Sequence, residues 1–172
     1  MKKFLLTLAV AVCTVAASAQ VYVGGAVGFW RNHDANTTSF VLEPEVGYTL
    51  SDKWDIGIGI GYGHIYNNGA KINAFTVNPY ARYTFAKVGP VSFFVNGGFG
   101  FSTSKPKGGD SENSWEIGLT PGLKVNVAKN LDFISEIGFL GYRDDDLNVY
   151  GGTGFGFKLS SNDLKFGLVY TF

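Results

Sequence analysis

The sequence predicts an all-β fold, a closed antiparallel up-and-down transmembrane β-barrel of eight strands, with ten as the alternative. Three observations predict it. Apolar residues alternate at period two with polar or small ones along nearly all of the chain beyond residue 20, with no helical periodicity. Residues 164–172 (LKFGLVYTF) place Leu164, Phe166, Leu168, Tyr170 and Phe172 on one side of an extended strand, a face that needs an apolar solvent. The 24 glycines, 9 tyrosines and 15 phenylalanines beside a single methionine are foreign to a soluble domain. A mean hydropathy of +0.09 hides this character, because the two faces of a barrel wall average out.

Residues 1–19 read as a cleaved signal peptide. Lys2 and Lys3 are its basic start, Phe4 to Val15 its apolar core, and Ala17-Ser18-Ala19 its cleavage site, so the barrel domain spans 20–172. As a membrane anchor the apolar run is too short, since a span needs about 18 residues. Cys13, the one cysteine, leaves with this segment, and with it any disulfide or thiolate nucleophile. A lipidated Cys13 is the competing reading, opposed by Val12 where a small residue is wanted. Losing Lys2 and Lys3 takes 14 basic residues to 12 (14 − 2) against 14 acidic, a net charge of −2. Such a chain has no basic patch of nucleic-acid-binding size.

The strands follow in order. Near 21–31, Val21, Val23, Val27 and Phe29 share one face, opposed by Tyr22, Gly24, Ala26 and Gly28. Near 39–50, Phe40, Leu42, Pro44, Val46 and Tyr48 oppose Glu43, Glu45 and Gly47. Near 54–65, Trp54, Ile56, Ile58, Ile60 and Tyr62 oppose Asp55 and a glycine stripe, Gly57 to Gly63. Near 74–86, Phe75, Val77, Pro79, Ala81, Tyr83 and Phe85 oppose Asn78, Tyr80 and Arg82. Near 91–102, Phe93, Val95, Phe99 and Phe101 oppose Phe94, Asn96, Gly98 and Gly100. Near 114–128, Trp115, Ile117, Leu119, Pro121 and Leu123 oppose Glu116, Gly118 and Lys124. Near 131–142 the pattern weakens: Leu131, Phe133, Ile137 and Phe139 oppose Asp132 and Glu136, with Ile134 and Ser135 out of step. Residues 149–159 resemble a ninth strand, but an even number is required if both ends lie on the periplasmic side. The eighth strand is therefore placed at 164–172, with 149–163 as its outer extension or a bulge that flips facing parity.

Pro44, Pro79 and Pro121 sit at equivalent places in three copies of a strand–turn–strand unit: PEVGYTLSDKWD, PYARYTFAKVGP and PGLKVNVAKNLD. Proline has no donor for the ladder, so each is expected to cost a rung or cause a bulge. Turns near 51–53, 86–90 and 128–130 are short, whereas those near 32–38, 66–73, 103–113 and 143–148 are longer and polar. That alternation fits periplasmic turns and outer loops.

Outward aromatics cluster at two heights: Tyr48, Trp54, Tyr83, Phe85, Tyr170 and Phe172 near the short turns, and Phe40, Tyr62, Phe75, Phe101 and Trp115 near the long loops. Inward parity falls on the ionisable residues. A lumen charge network is expected with Arg82 and Lys124 set among Glu43, Glu45, Glu116 and Glu136, because buried charges are costly unless paired. Asp55 and Asp132 are expected to meet water near the short turns. Tyr22, Tyr80 and Phe94 are expected to fold over the glycine stripe. The network reads as a structural plug, with an ion path as the alternative.

No cofactor motif is evident. GGTGFG at 151–156 has no helix after it to make a phosphate loop, and Asp144 to Asp146 lack the spaced ligands of a calcium loop. His33 and His64, with rim serines and acids such as Ser39, Ser104, Asp34 and Glu112, could in principle assemble an acyl-hydrolase set, but nothing in the spacing fixes one.

With the leader ending Ala17-Ser18-Ala19-Gln20, the proline hairpins and the terminal LKFGLVYTF, the chain resembles the small outer-membrane β-barrel family of porin-family or OmpX/OmpA-like barrels. The proline repeats and the Gln20 start look most like versions from the Bacteroidetes. The resemblance implies an outer-membrane location, embedding in the lipid bilayer, and recognition by the outer-membrane assembly machinery through Tyr170 and Phe172. It also implies a non-enzymatic structural or surface-interaction role. A narrow porin-like channel is the alternative, and a lipid-modifying enzyme a third. Eight strands enclose side chains and no aqueous channel.

Overall fold

The computed structural model describes residues 21–32, 36–67, 70–106, 108–144, 153–159 and 164–172. Ala17, Ala19, His33 and Asp34 lie outside the described residues, as do Asp145 and Asp146.

Among the described residues ten strands form: β1 Val21–Asn32, β2 Thr37–Thr49, β3 Trp54–Asn67, β4 Ala70–Val88, β5 Val91–Pro106, β6 Glu112–Ala128, β7 Leu131–Glu136, β8 Phe139–Asp144, β9 Gly154–Lys158 and β10 Lys165–Thr171. All pairings are antiparallel. Eight strands close the barrel in the order β1 to β7 and then β10, which returns to β1. The two others stand outside that ring, β8 on β6 and β9 on β8.

The wall is inside-out relative to a soluble protein. Ile56, Ile58 and Ile60 are 44%, 37% and 44% exposed, while Arg82 and Phe94 are fully buried in the lumen. A surface of this composition is stable only in hydrocarbon, where a closed sheet leaves few backbone groups unpaired. The short connections are tight. Residues 89–90 and 129–130 are two-residue turns, with Gly89 at φ 58°. At the remaining short turn, Ser51 Oγ accepts from the Trp54 amide at 3.2 Å. The long connections are shorter than the sequence suggests, because β3 to β6 run on as paired ribbon to Asn67, from Ala70, to Pro106 and from Glu112. A tilted span needs only about 9–11 residues, so these ribbons reach past the membrane.

Each repeated proline removes rungs on one side only. The β2–β3 ladder skips from Leu42↔Tyr62 to Glu45↔Gly59, and the β4–β5 ladder from Val77↔Phe101 to Tyr80↔Gly98, both without a change of register. On the opposite sides Gly25↔Pro44 and Ile58↔Pro79 pair without interruption. The third proline sits where β6 changes partner from β8 to β7, and Pro121 O accepts from the Ile137 amide at 3.0 Å.

There the expected seventh strand breaks. Pairing with β6 passes from Gly122↔Glu136 to Leu119↔Leu140, a slip of one residue, and Gly138 adopts φ 77°. The slip reverses facing parity. Phe139, expected on the outer wall, instead turns into the lumen. Opposite it Lys165 pairs with Glu136 and Lys158 with Phe139, with residues 159–164 between them on one side and only 137–138 on the other. Phe155 and Phe157 accordingly lie on the outer face at odd positions, while Phe166 and Leu168 do so at even ones.

Candidate functional site: the charged lumen

Period two aims one residue in each pair at the barrel axis, and neighbouring strands place those residues in tiers. The tier nearest the short turns is dry. Tyr22, Phe94, Ile134 and Val169 cluster there with almost no exposure. Glycines make room for the rings. A Cβ at Gly57 would meet the Tyr80 hydroxyl at 2.6 Å and the Tyr22 hydroxyl at 2.9 Å. Phe94 packs over Gly122 on β6 and not over the β3 glycine stripe. Gly59 and Gly63 have no ring above them, their nearest neighbours being Asn78 and Ala74.

Arg82 is the centre of the next tier. Its Nη2 lies 3.6 Å from Glu45 Oε2 and 3.5 Å from Glu136 Oε1, and its Nε donates to Asn96 Oδ1 at 2.9 Å. Asn96 Nδ2 donates to Glu136 Oε1 at 2.5 Å. The Tyr80 hydroxyl donates to Glu45 Oε2 at 2.5 Å and shares a 2.9 Å bond with the Tyr22 hydroxyl. The guanidinium carbon lies 4.5 Å from the Phe94 ring centroid and 5.1 Å from that of Tyr80. Planar, delocalised and weakly hydrated, guanidinium is the cation best suited to such a site.

Nearer the long loops are two further pairs. Lys165 Nζ lies 3.3 Å from Glu43 Oε2, and Arg143 Nη2 lies 2.5 Å from Glu116 Oε2, with its guanidinium 4.3 Å above Phe139. Between them and Arg82 is a cavity of about 180 Å³.

The expected network thus comes together around Arg82 with Glu45 and Glu136, but not around Lys124. Lys124 Nζ pairs with Asp55 Oδ2 at 3.8 Å, away from the glutamates. Asp55, expected in water, is 5% exposed. It lies directly opposite Arg82 on the neighbouring strand, on the inward face. Asp132 does stay near a short turn, accepting from Asn126 Nδ2 at 2.9 Å. Sequence reasoning missed Arg143 and Lys165 as partners of Glu116 and Glu43. The surplus of inward acids over inward bases was the available signal for them. Tyr170 and Phe172 meet edge to face at 5.2 Å on the outer wall. Trp54 and Tyr83, of the same girdle, lie 4.7 Å apart. His64 Nδ1 is 2.7 Å from Asn73 Oδ1 at the rim. Among the described residues no group of three His, Cys, Asp or Glu side chains could hold a metal.

Comparison with known proteins agrees with this architecture. A family model described as outer membrane protein beta-barrel domain matches residues 4–172. Neisserial surface protein A is similar at 16% identity and TM-score 0.51, covering 88% of this chain and 96% of that one. The N-terminal β-barrel domain of Pseudomonas aeruginosa OprF is similar at 15% identity and TM-score 0.53, covering 90% and 98%. A major outer membrane protein from Thermus thermophilus is similar at 14% identity and TM-score 0.52, covering 89% and 99%. At these identities the likeness is one of fold. No curated protein matches the chain.

Proposed function

This chain belongs to the outer membrane protein β-barrel domain family, and from that premise we propose that it is a non-conducting structural barrel whose outer loops engage surface partners. It is a small barrel of the outer membrane embedded in lipid. The observation that carries the proposal is the closed tier, in which Arg82 and Phe94 are 1% and 0% exposed. The lumen charges then serve to satisfy one another: Arg82 with Glu45 and Glu136, Lys165 with Glu43, Arg143 with Glu116 and Lys124 with Asp55. Short turns face the periplasm and the β3–β6 ribbons face outward, as is usual for bacterial barrels. Processing between Ala19 and Gln20, and recognition of Tyr170 and Phe172 by the assembly machinery, complete the reading. The Bacteroidetes affinity rests on the proline repeats and the Gln20 start.

Planar-bilayer recording tests it. Wild type is expected to give no steady conductance, and a steady conductance that Arg82→Ala alters would favour the narrow channel. That second reading draws on the cavity of about 180 Å³ above the closed tier. Catalysis has less support, because His64 is engaged by Asn73. Unchanged lipid profiles after His33→Ala and His64→Ala would agree.

A further inference from the structure

The outer wall carries a polar patch above its upper aromatic row. Outward parity continues past the Tyr62↔Phe75 rung to His64↔Asn73 and Tyr66↔Lys71 between β3 and β4, and to Asn73↔Lys105 between β4 and β5. Lys71, Asn73 and Lys105 are all exposed. Trp54, in the aromatic row near the short turns, lies eight residues (62 − 54) along β3 from Tyr62. At about 3.4 Å per residue and a tilt near 45°, Tyr62 stands roughly 20 Å above that row, close to the height of the apolar band. Asn73, two residues beyond Phe75 toward the long loops, stands about 5 Å higher still, in the headgroup layer.

Hydrogen bonding orients the patch. Asn73 Oδ1 accepts from the Tyr62 hydroxyl at 3.1 Å and lies 2.7 Å from His64 Nδ1. With Oδ1 committed to β3, the Nδ2 donors of Asn73 are left for an acceptor from outside. Charge completes the arrangement. Among the described residues neither Lys71 nor Lys105 forms an ion pair. The outward positions around them on β2 to β6 are Thr38, His64, Tyr66, Thr103 and Asn113, with no carboxylate among them. The described acids at this end stand elsewhere. Glu112 is opposite Ser104 on the inward face, Asp110 is on the exposed β5–β6 turn, and Asp144, beside Trp115, accepts from Thr153 Oγ1 at 2.8 Å.

We propose that Lys71, Asn73 and Lys105 bind the phosphate of an anionic lipid headgroup in the leaflet around the long ribbons, with its acyl chains against Tyr62 and Phe75 below. Ammonium groups at headgroup height attract anionic lipid while staying hydrated. A soluble partner fits less well, because the lower border of the patch is an aromatic row that faces hydrocarbon. The site rests on the assignment of the apolar wall to lipid. It is independent of whether the barrel conducts and of which ribbon ends face the cell exterior.

The test places one tryptophan beside the patch, Phe75→Trp, in a barrel whose Trp30, Trp54 and Trp115 are replaced by phenylalanine. A control barrel of the same background carries Phe155→Trp on β9, four strands from β4. Both are refolded in phosphatidylcholine vesicles that contain an equal fraction of either dibrominated phosphatidic acid or dibrominated phosphatidylcholine, and quenching is compared. Beside the patch, phosphatidic acid is expected to be enriched about five-fold, the worth of one lysine near an anionic surface. At Phe155→Trp the two lipids quench alike. Lys71→Gln with Lys105→Gln removes the enrichment, and so does about 1 M salt, where the screening length falls to about 3 Å. Excess inorganic phosphate at constant ionic strength leaves it in place, because the acyl chains anchor the lipid. Equal quenching beside the patch, the same enrichment at Phe155→Trp, or enrichment that survives loss of both lysines overturns the proposal. Displacement by inorganic phosphate also overturns it, since the ligand would then be a soluble anion. A heat-shift gel reports folding. Should Phe75→Trp not fold, Phe40→Trp, paired with His64 on the neighbouring strand, carries the same comparison.

Discussion

At the residue scale the lumen depends on Arg82. Removing one partner of a buried ion pair leaves uncompensated charge and typically costs about 3–5 kcal/mol. Arg82→Ala should lose about that much in urea unfolding from lipid vesicles, because Glu45 and Glu136 are then left facing each other across the tier. Arg82→Lys should recover little, since an ammonium cannot supply the Nε bond to Asn96 together with the Phe94 contact. A midpoint for Arg82→Lys equal to wild type would contradict this. Glycines give a second contrast. Gly57→Ala puts a methyl against two tyrosine hydroxyls and should cost about 1–3 kcal/mol, the usual range for overpacking. Gly59→Ala, with its nearest neighbour at 3.9 Å, should change little. The sequence announced that Arg82 would need acids, but not which ones. Alternation gives the face of a residue and not its height, and pairing depends on height. Lys124 shows this: it faces inward as expected and meets Asp55 instead of a glutamate.

At the element scale, regular strands were legible and irregular ones were not. In β2 to β6 the expected outer faces are the observed ones along the regular runs, which register shifts at Thr84/Ala86 and Asn126/Ala128 end near the short turns. Phe139 lies beyond a left-handed Gly138, and one inserted residue reverses every later side chain. No composition signal locates such a slip, although the out-of-step Ile134 and Ser135 lie just before it. The prolines were more readable, because a missing donor has one local consequence. Pro79→Val should restore a rung toward β5, adding hydrogen-exchange protection at that amide and about 0.5–1.5 kcal/mol of stability, the net worth of one hydrogen bond. Absence of new protection would mean that something other than the missing N–H opens the ladder.

At the scale of the whole molecule, two opposite solvents fix the fold. The outer wall presents isoleucine, leucine and aromatic side chains, and the inner one holds acids and bases that satisfy one another. Neither surface is stable where the other belongs. A closed ring should also resist unfolding in detergent, so unheated protein is expected to migrate differently from boiled protein on a gel, whereas identical migration would speak against closure. The most direct test is aqueous accessibility of single cysteines in proteoliposomes, in chains lacking Cys13. A membrane-impermeant maleimide should leave Ile58→Cys and Leu119→Cys unmodified while Asp110→Cys, in an exposed long-loop turn, reacts readily. Ready modification of Ile58→Cys in the folded barrel would contradict the assignment of that face to lipid.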